Sequence, residues 1–320
     1  MKNEFTPGLV SVIVASYNHA TYLDKRISSL LNQSYRNVEI IIIDDCSTDN
    51  SLQILEKYEH LENIKLIKRE KNGGWVEVSN QGVSLSIGEF IIFANCDDYC
   101  EFNMIEKLVN GLFSNPNVGI SYCRSLLIDE NDKVIGNDYD GRDLDFKKKC
   151  VNDTLIEKNE MSKFLLHSCV IPKLSAAIFR KNHFVEVGGL NNSYKVCSDW
   201  DLFFRMVEKF DVFYISESHN YFRQHLKTIR SSTKNKIIYE EYLRLLLPKI
   251  KGLKVKIREK SKYRFQVINL WAEHLMDASL AGVKDFTFHL KVVVKYDFMS
   301  IFFIPPVLFK RLTHYLNKKL

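Results

Sequence analysis

Short apolar runs alternate with segments of helical periodicity along the first hundred residues of the chain. Residues 10–15 and 38–43 are continuously apolar and rich in β-branched side chains, which is typical of strands buried on both faces of a parallel sheet. Two further strand-like runs lie at residues 64–67 and 89–94. Between the runs, apolar residues recur at helical spacing, as at residues 22–32. Strand and helix in this short alternation predict an α/β fold with a parallel sheet and right-handed crossovers.

Polar residues follow each of the four predicted strands. In chain order they are Ser16-Tyr17-Asn18, Asp44-Asp45, Asn72-Gly73-Gly74 and Asn95-Cys96-Asp97-Asp98. The carboxyl ends of parallel strands meet at one edge, which is where open α/β sheets bind ligands. Two adjacent carboxylates there repel each other unless a cation lies between them, so the pattern indicates a metal and phosphate site. The plainer alternative is that Asp97 and Asp98 cap the helix that starts near Glu101.

The same motifs, together with later ones, occur in a characteristic order. The early ones are Ser-Val-Ile-Val-Ala-Ser-Tyr-Asn at 11–18, Ile-Asp-Asp-Cys-Ser-Thr-Asp at 43–49, Asn-Gly-Gly at 72–74 and Asn-Cys-Asp-Asp at 95–98. The later ones are Pro-Lys-Leu-Ser-Ala-Ala at 172–177, Gly-Gly-Leu at 188–190, Ser-Asp-Trp-Asp at 198–201 and Tyr-Phe-Arg-Gln-His at 221–225. Over roughly residues 9–231 the chain resembles family 2 glycosyltransferases of the GT-A fold. The resemblance implies a Rossmann-like, mostly parallel sheet flanked by helices.

The resemblance also implies a set of donor-binding residues. In similar enzymes the residue matching Tyr17 packs on the nucleobase, while those matching Ala15 and Asp45 hydrogen-bond the base or the ribose. An ionised aspartate suits sugar hydroxyls because it is an acceptor-only partner. The remaining donor-binding positions implied by the resemblance are Gly73, Asn95, Asp98 and Arg223.

A divalent metal follows from the same resemblance. Asp97 matches the last acid of the family's Asp-X-Asp motif, which holds Mn²⁺ or Mg²⁺ against the diphosphate, and His225 matches a position that reaches the metal or the phosphates. Hard oxygen ligands suit these ions better than zinc. Asn95 stands here in place of the first acid of the motif, so Asp98 is expected to share the contact with the ribose or with the metal. The sequence does not assign these roles among Asn95, Asp97 and Asp98. A lone histidine such as His225 is more often structural.

Asp199 is the expected catalytic base. It opens an amphipathic helix that runs to about Lys209, and a helix N-terminus keeps a carboxylate ionised and therefore basic. The bland alternative is a helix-capping aspartate, and Asp201 is expected to be structural. With one base and no second nucleophilic carboxylate, single displacement with inversion at the anomeric carbon is expected.

The last third of the chain carries most of the positive charge. Residues 226–320 contain 20 Lys and Arg against 7 Asp and Glu, whereas residues 1–225 contain 25 against 32. The pattern predicts helices over residues 237–251 and 261–281, the second ending at Gly282, then two shorter pieces broken by Pro305-Pro306. The uncharged residues 298–309 are too few to span a bilayer and suit a membrane interface. The alternative is a set of packed helices with a solvated basic face.

These observations predict a GT-A catalytic domain at residues 1–232, with a nucleotide-sugar half at 1–100 and an acceptor half at 101–232. A basic helical extension is predicted at 233–320. Seven scattered cysteines without a Cys-X-X-Cys pair indicate reduced thiols, and the N-terminus lacks the apolar core of a signal peptide. We therefore expect a cytoplasmic protein, peripheral on the inner face of the cytoplasmic membrane.

The expected function is metal-dependent, inverting transfer from a nucleotide-sugar, with UDP-sugar as the donor by resemblance. The acceptor is expected to be a hydroxyl of a glycan or of a polyprenyl-diphosphate-linked saccharide in surface polysaccharide synthesis. A dehydrogenase or a sugar nucleotidyltransferase would need a Gly-rich phosphate loop after the first strand, which Ala15-Ser16-Tyr17-Asn18 does not supply. Nucleic acid is not expected as a partner, because no reading motif is present. A non-catalytic nucleotide-sugar-binding or scaffold protein is the alternative.

Overall fold

Four parallel strands form one side of the sheet in the computed structural model, which describes residues 5–225, 228–277 and 279–319. They are β1 (Thr6–Ser16), β2 (Val38–Asp44), β3 (Ile64–Lys68) and β4 (Gly88–Phe93). Their order in the sheet is β3-β2-β1-β4, and each neighbouring pair is parallel. The connecting helices are α1 (Ala20–Leu31), α2 (Ser51–Glu56) and α3 (Trp75–Leu85). The predicted α/β alternation is therefore confirmed for this half.

The other side of the sheet mixes parallel and antiparallel strands. Its strands are β5 (Tyr99–Cys100), β6 (Val118–Ile128), β7 (Val134–Asn137), β8 (Thr154–Ile156), β9 (Ala177–Arg180) and β10 (Asp211–Arg223). β9 runs antiparallel between β4 and β6, and β6 pairs in parallel with β10. Its helices are α4 (Met104–Phe113), α5 (Leu144–Lys149), α6 (Lys158–His167), α7 (Lys181–Glu186) and α8 (Ser198–Val207), with a 3₁₀ turn at Leu174–Ala176. The carboxyl ends of β6 and β10 thus point the same way.

The core explains why the first strands are apolar throughout. Successive side chains of a strand point to opposite faces. On one face, alternate residues of β1 and β2 pack with Leu23, Ile27 and Leu30 of α1. On the other face, Ile41 and Ile43 pack with Val78 of α3. Because both faces are buried, only the loops at the strand ends can carry exposed polar groups.

The chain divides into two compact units. The N-terminal unit comprises residues 1–193 and 198–225, and the C-terminal unit comprises residues 194–197 and 226–320. The second unit contains the helices α9 (Ile229–Ser232), α10 (Asn235–Gly252), α11 (Ile257–Asp277), α12 (Ser279–Asp297) and α13 (Ile304–Lys319), with a 3₁₀ segment at Phe298–Phe303. It has its own apolar core, in which Leu243, Ile268, Trp271 and Val293 are buried.

The predicted helix end at Gly282 is wrong, because Gly282 lies within α12 and ends no helix. The predicted break at Pro305-Pro306 lies within one residue of the boundary between the 3₁₀ segment Phe298–Phe303 and α13. Both prolines are in the first turn of α13, where a missing backbone N–H costs nothing because that group has no partner within the helix. The apolar stretch is also longer than expected. By length and composition alone, the 27 residues of Asp285–Arg311 could cross a membrane, a test that core helices of soluble proteins also pass.

Candidate active site

The loops after β1 and β2 are joined to each other. Asn18 has a left-handed backbone with φ of 57°, which asparagine tolerates better than most residues. Its side-chain oxygen accepts a hydrogen bond from the Thr48 N–H at 2.8 Å, and its own N–H donates to the Ser47 hydroxyl at 3.1 Å. Tyr17, beside it, is 42% exposed. The two loops therefore form one rim, on which Tyr17 presents an open ring.

Asp45 organises the Asn-Gly-Gly loop. Its carboxylate accepts hydrogen bonds from the backbone N–H groups of Gly73 at 2.9 Å and Gly74 at 2.8 Å, and from Arg69 at 3.1 Å. A side chain at position 73 would collide with Arg69 and Glu77, and Gly74 has a φ of 84°. Two predicted donor-binding residues, Asp45 and Gly73, are thus in direct contact.

Asp97 and His225 meet although 128 residues separate them. His225 Nε2 lies 2.9 Å from Asp97 Oδ2, and the two side chains are 4% and 15% exposed. Burial by itself would raise the pKa of Asp97, but the hydrogen bond from His225 and the nearby His19 charge outweigh it and hold that pKa below its usual value. The hydrogen bond to Asp97 in turn raises the pKa of His225. The structure therefore brings the two predicted metal-binding residues together.

Asp98 points into the protein. It is 1% exposed, and its carboxylate accepts hydrogen bonds from the Ser175 hydroxyl, the Arg223 backbone N–H and the Asn95 amide. Burial and the adjacent Asp97 raise its pKa to about 6. Asp98 holds the loop in place from inside, a role that the sequence did not separate from those of its neighbours. Ser175 lies in a motif used for the resemblance, but nothing in the sequence pairs it with Asp98.

Arg223 is also turned inward. Arg223 is 2% exposed. Its guanidinium donates hydrogen bonds to the carbonyl oxygen of Asp97 at 2.9 Å, to the carbonyl oxygen of Asp129 at 2.8 Å, and to the Asp132 carboxylate. The guanidinium carbon lies 4.5 Å from the centre of the Tyr22 ring. Arg223 therefore ties the end of β10 to the loop that carries Asp97.

Ala15 connects the first strand to the same loop. The carbonyl oxygen of Ala15 accepts the Cys96 thiol at 3.2 Å, and the Ala94 N–H donates to the carbonyl oxygen of Ile13 at 2.7 Å. The loop containing Asn95 and Asp97 therefore sits directly against the end of β1, next to Tyr17. Four of the predicted donor-binding segments converge at this edge of the sheet.

Asp199 lies in the first turn of α8, where its carboxylate accepts the Trp200 N–H at 2.7 Å. The turn before it is anchored on α3. The Asn80 side chain exchanges hydrogen bonds of 2.8 and 3.0 Å with the backbone of Leu190, and the Ser198 hydroxyl donates to the carbonyl oxygen of Asn191 at 3.0 Å. The sequence did not single out Asn80 for this contact.

Asp201 accepts a hydrogen bond from Arg205 at 2.8 Å, and Arg205 also donates to the carbonyl oxygen of Gly189 at 2.7 Å. It is buried, at 7% exposed. Asp201 therefore stabilises the turn that precedes the helix, whereas Asp199 is half-buried on the same first turn.

The comparison with known families agrees with this geometry. Residues 11–160 match the model of glycosyl transferase family 2. Over this region the chain is similar to that family. The matched region contains both rim loops, the Asn-Gly-Gly loop and the loop of Asp97.

Individual proteins are similar to this chain over part of their length. An uncharacterised glycosyltransferase of Haemophilus influenzae is 29% identical over 194 residues, which are 60% of this chain and 58% of that protein. TuaG of Bacillus subtilis, provisionally a teichuronic acid biosynthesis glycosyltransferase, is 38% identical over 100 residues, or 31% of this chain and 40% of that protein. The chain thus spans about half the length of these relatives.

A solved structure shows the fold. The crystal structure of S. aureus TarS 1–349 in complex with UDP-GlcNAc has a TM-score of 0.69 to this chain at 17% identity. The likeness covers 92% of this chain and 84% of that one. The predicted GT-A fold is confirmed.

The residues of the candidate site fit a divalent metal of the kind predicted. Among the residues that the structure describes, no group of three or more His, Cys, Asp and Glu side chains could hold an ion alone. Mg²⁺ and similar ions are usually held by one or two carboxylates together with substrate phosphates. Asp97 and His225, adjacent and facing each other, fit that partial set of protein ligands.

Proposed function

We propose that this chain is an inverting glycosyltransferase that moves a sugar from a nucleoside-diphosphate sugar to an acceptor hydroxyl. The observation that carries the proposal is the convergence of Tyr17, the Asp45-Gly73 loop and the Asp97–His225 pair at the carboxyl ends of parallel strands. Open α/β sheets bind nucleotides there. The match of residues 11–160 to glycosyl transferase family 2 supports the same reaction class.

The donor is proposed to be a UDP-sugar. The exposed ring of Tyr17 can stack on a base, and the rim beside it is formed by Ala15 and Asp45. The complex of the structurally similar TarS with UDP-GlcNAc supports this choice. Because Asp98 and Arg223 are buried on protein partners, we assign them to positioning the loop of Asn95 and Asp97 rather than to direct donor contact.

Asp97 and His225 are proposed to hold Mn²⁺ or Mg²⁺. When bound, the cation supplies positive charge against the diphosphate as it becomes the leaving group. The imidazole must be neutral to ligate, so metal binding competes with protonation of His225, whose pKa is raised by the hydrogen bond to Asp97.

Asp199 is proposed to accept the proton of the acceptor hydroxyl. The hydroxyl oxygen then forms the new bond to the anomeric carbon while the bond from that carbon to the diphosphate oxygen breaks, and the configuration inverts. The first turn of α8 favours an ionised Asp199, because the partial positive charge of a helix N-terminus stabilises a carboxylate.

The acceptor is proposed to be a glycan or a polyprenyl-diphosphate-linked saccharide at the inner face of the cytoplasmic membrane. The similarity to TuaG supports a role in surface polysaccharide synthesis. The C-terminal unit supports membrane binding, because Phe298, Met299, Phe302 and Phe309 are 52–71% exposed. Exposed aromatic residues beside lysines are typical of helices that lie in a membrane interface. We call these four residues the apolar patch.

One observation favours a second candidate, a nucleotide-sugar-binding protein without catalysis. Asn95 replaces an acid of the family motif, and Asp98 does not compensate because it is buried. The two candidates differ in whether the sugar–phosphate bond is broken.

Incubation of the purified chain with Mn²⁺ and a panel of UDP-sugars tests the proposal directly. We expect UDP release for one donor, and with a matching saccharide acceptor a product heavier by one sugar in mass spectrometry. Donor binding by calorimetry without UDP release, with every acceptor tried, would support the non-catalytic candidate instead.

A further inference from the structure

A buried carboxylate in the C-terminal unit holds the segment that leads into α8. Glu241 lies on α10 and is 3% exposed. It accepts hydrogen bonds from three consecutive backbone N–H groups: Lys195 at 2.7 Å, Val196 at 2.8 Å and Cys197 at 3.0 Å. Consecutive backbone N–H groups that face one anion form a strong and directional anion site.

The arrangement makes the backbone of residues 195–197 depend on Glu241. Cys197 is 2% exposed, so its N–H lies away from solvent and donates to the Glu241 carboxylate. Next to it, the Tyr194 ring lies 4.2 Å from the Arg244 guanidinium, one turn further along α10. The segment is therefore held at its backbone and at a side chain by the same helix.

The contact between Glu241 and residues 195–197 bears on the active site because these residues directly precede α8. Asp199 is two residues beyond Cys197, at the first turn of α8. We propose that Glu241 is a positioning residue that fixes residues 195–197 and, through them, the orientation of the catalytic base Asp199. The inference rests on the proposed function, and it gives the helical C-terminal unit a role in the transfer step beside membrane binding.

Glu241→Gln tests the proposal with little change in volume. The amide keeps one oxygen but turns an NH₂ group toward at least one of the three N–H donors, so the segment loses part of its hold. We expect kcat to fall about 10- to 100-fold, as for small misplacements of a reacting group, while the KM for the donor and the affinity for UDP change less than about twofold. Glu241→Ala should lose more. Asp285→Asn is the matched control, because it removes another paired carboxylate of the same unit.

A double-mutant cycle separates positioning from general damage. If Glu241 acts through Asp199, adding Glu241→Gln to Asp199→Asn should cause no further fall in turnover. Glu241→Gln could instead lower turnover by the same factor in the wild-type chain and in Asp199→Asn, or lower the fraction of protein that binds UDP together with the melting temperature. Either result would show a merely structural role and overturn the proposal.

Hydrogen exchange gives a readout that does not need turnover. The amides of residues 195–197 should exchange faster in Glu241→Gln than in the wild-type chain and in Asp285→Asn. Unchanged exchange would overturn the inference. If instead exchange changes but Asp199→Asn keeps wild-type turnover, the assignment of the base fails, and with it the route by which Glu241 would act.

Discussion

The two units of this chain place their charges in opposite ways. In the N-terminal unit the key carboxylates are buried or partly buried, and each is held by donors from distant residues: Asp45 by Gly73 and Gly74, Asp97 by His225, and Asp98 by Ser175. In the C-terminal region, residues 226–320, cations outnumber acids by 20 to 7, and Lys291, Lys295 and Lys310 are exposed.

The difference separates two uses of charge. Buried charges keep fixed partners because an unpaired one is costly, so they define a geometry for chemistry. Exposed cations are weakly held and screened by salt, so they contribute a field that attracts anionic surfaces. The acids that are buried in the C-terminal unit, Glu241 and Asp297, follow the first rule, since Asp297 pairs with Arg264 at 2.6 and 3.1 Å.

Asp199→Asn should have the largest effect, because it removes the proposed base, a half-buried carboxylate of the N-terminal unit. We expect kcat to fall about 10²- to 10⁴-fold with UDP binding nearly intact, as is usual for a general base. Turnover of UDP-sugar and calorimetry with UDP measure the two quantities. Glu208→Gln, an exposed acid just past α8, is the control. Retention of more than about a tenth of the turnover would show that Asp199 is not the base.

Asp97→Ala should have the second largest effect. We expect turnover to fall about 10²-fold, as when one group that stabilises developing charge is removed from an active site. Without the carboxylate, a divalent cation is held less well and the leaving diphosphate is less stabilised. Calorimetry should show that UDP binding no longer depends on Mn²⁺, and excess chelator should stop the wild-type reaction. Full activity in chelator would remove the metal from the mechanism.

The paired substitution Phe302→Glu and Phe309→Glu tests the exposed apolar patch of the C-terminal unit. Binding to anionic vesicles should fall about tenfold or more, because two apolar side chains no longer enter the interface. Wild-type binding should weaken in high salt, whereas reaction with a soluble acceptor should be unchanged in the variant. Flotation measures the binding, and Ile257→Glu, at an 81% exposed residue of the same unit, is the control.

Substitution in the apolar patch is sharper than truncation, because α13 contributes the buried Ile304 and Val307 to the core. Equal flotation of the variant and the wild-type chain would exclude the patch as the membrane contact. Resistance of the wild-type chain to carbonate extraction would indicate that Asp285–Arg311 spans the membrane instead of lying on it.

The smallest effect concerns stability at Asp98. The pKa of Asp98 is about 6 in the folded chain, against an ordinary value of 3.8. The folded chain therefore binds this proton more tightly than the unfolded chain, and protonation of Asp98 stabilises the fold. The contribution is fully present below pH 3.8 and is lost as the pH rises through about 6, by up to roughly 3 kcal/mol. Asp98→Asn should remove this pH-dependent loss of stability, because the amide does not ionise. Urea unfolding in chelator at pH 4 and 7.5 measures the free energy of unfolding of both chains. The stability of the variant relative to the wild-type chain should be higher at pH 7.5 than at pH 4, and an equal difference at both pH values would contradict the assignment.

Local patterns were sufficient for the first half of the fold. Alternating apolar strands and periodic helices predicted β1 to β4 and the loops at their carboxyl ends, because strand and helix are decided by hydrogen bonds and burial over a few residues. The contact of Asp45 with Gly73 follows from the same topology. The helix end predicted at Gly282 was wrong because a glycine ends a helix only at certain places in its last turn, which sequence spacing does not show.

Other features were decided by the tertiary structure. Asp97 and Asp98 are adjacent in the chain, yet one faces His225 at the edge of the site and the other is buried on Ser175. Glu241 reaches backbone groups that lie 44 to 46 residues away. The sequence by itself determined which chemical groups reach the sheet edge. Which of them stays accessible depends on desolvation and on partners supplied by distant strands and helices, and those are brought together only when the chain packs.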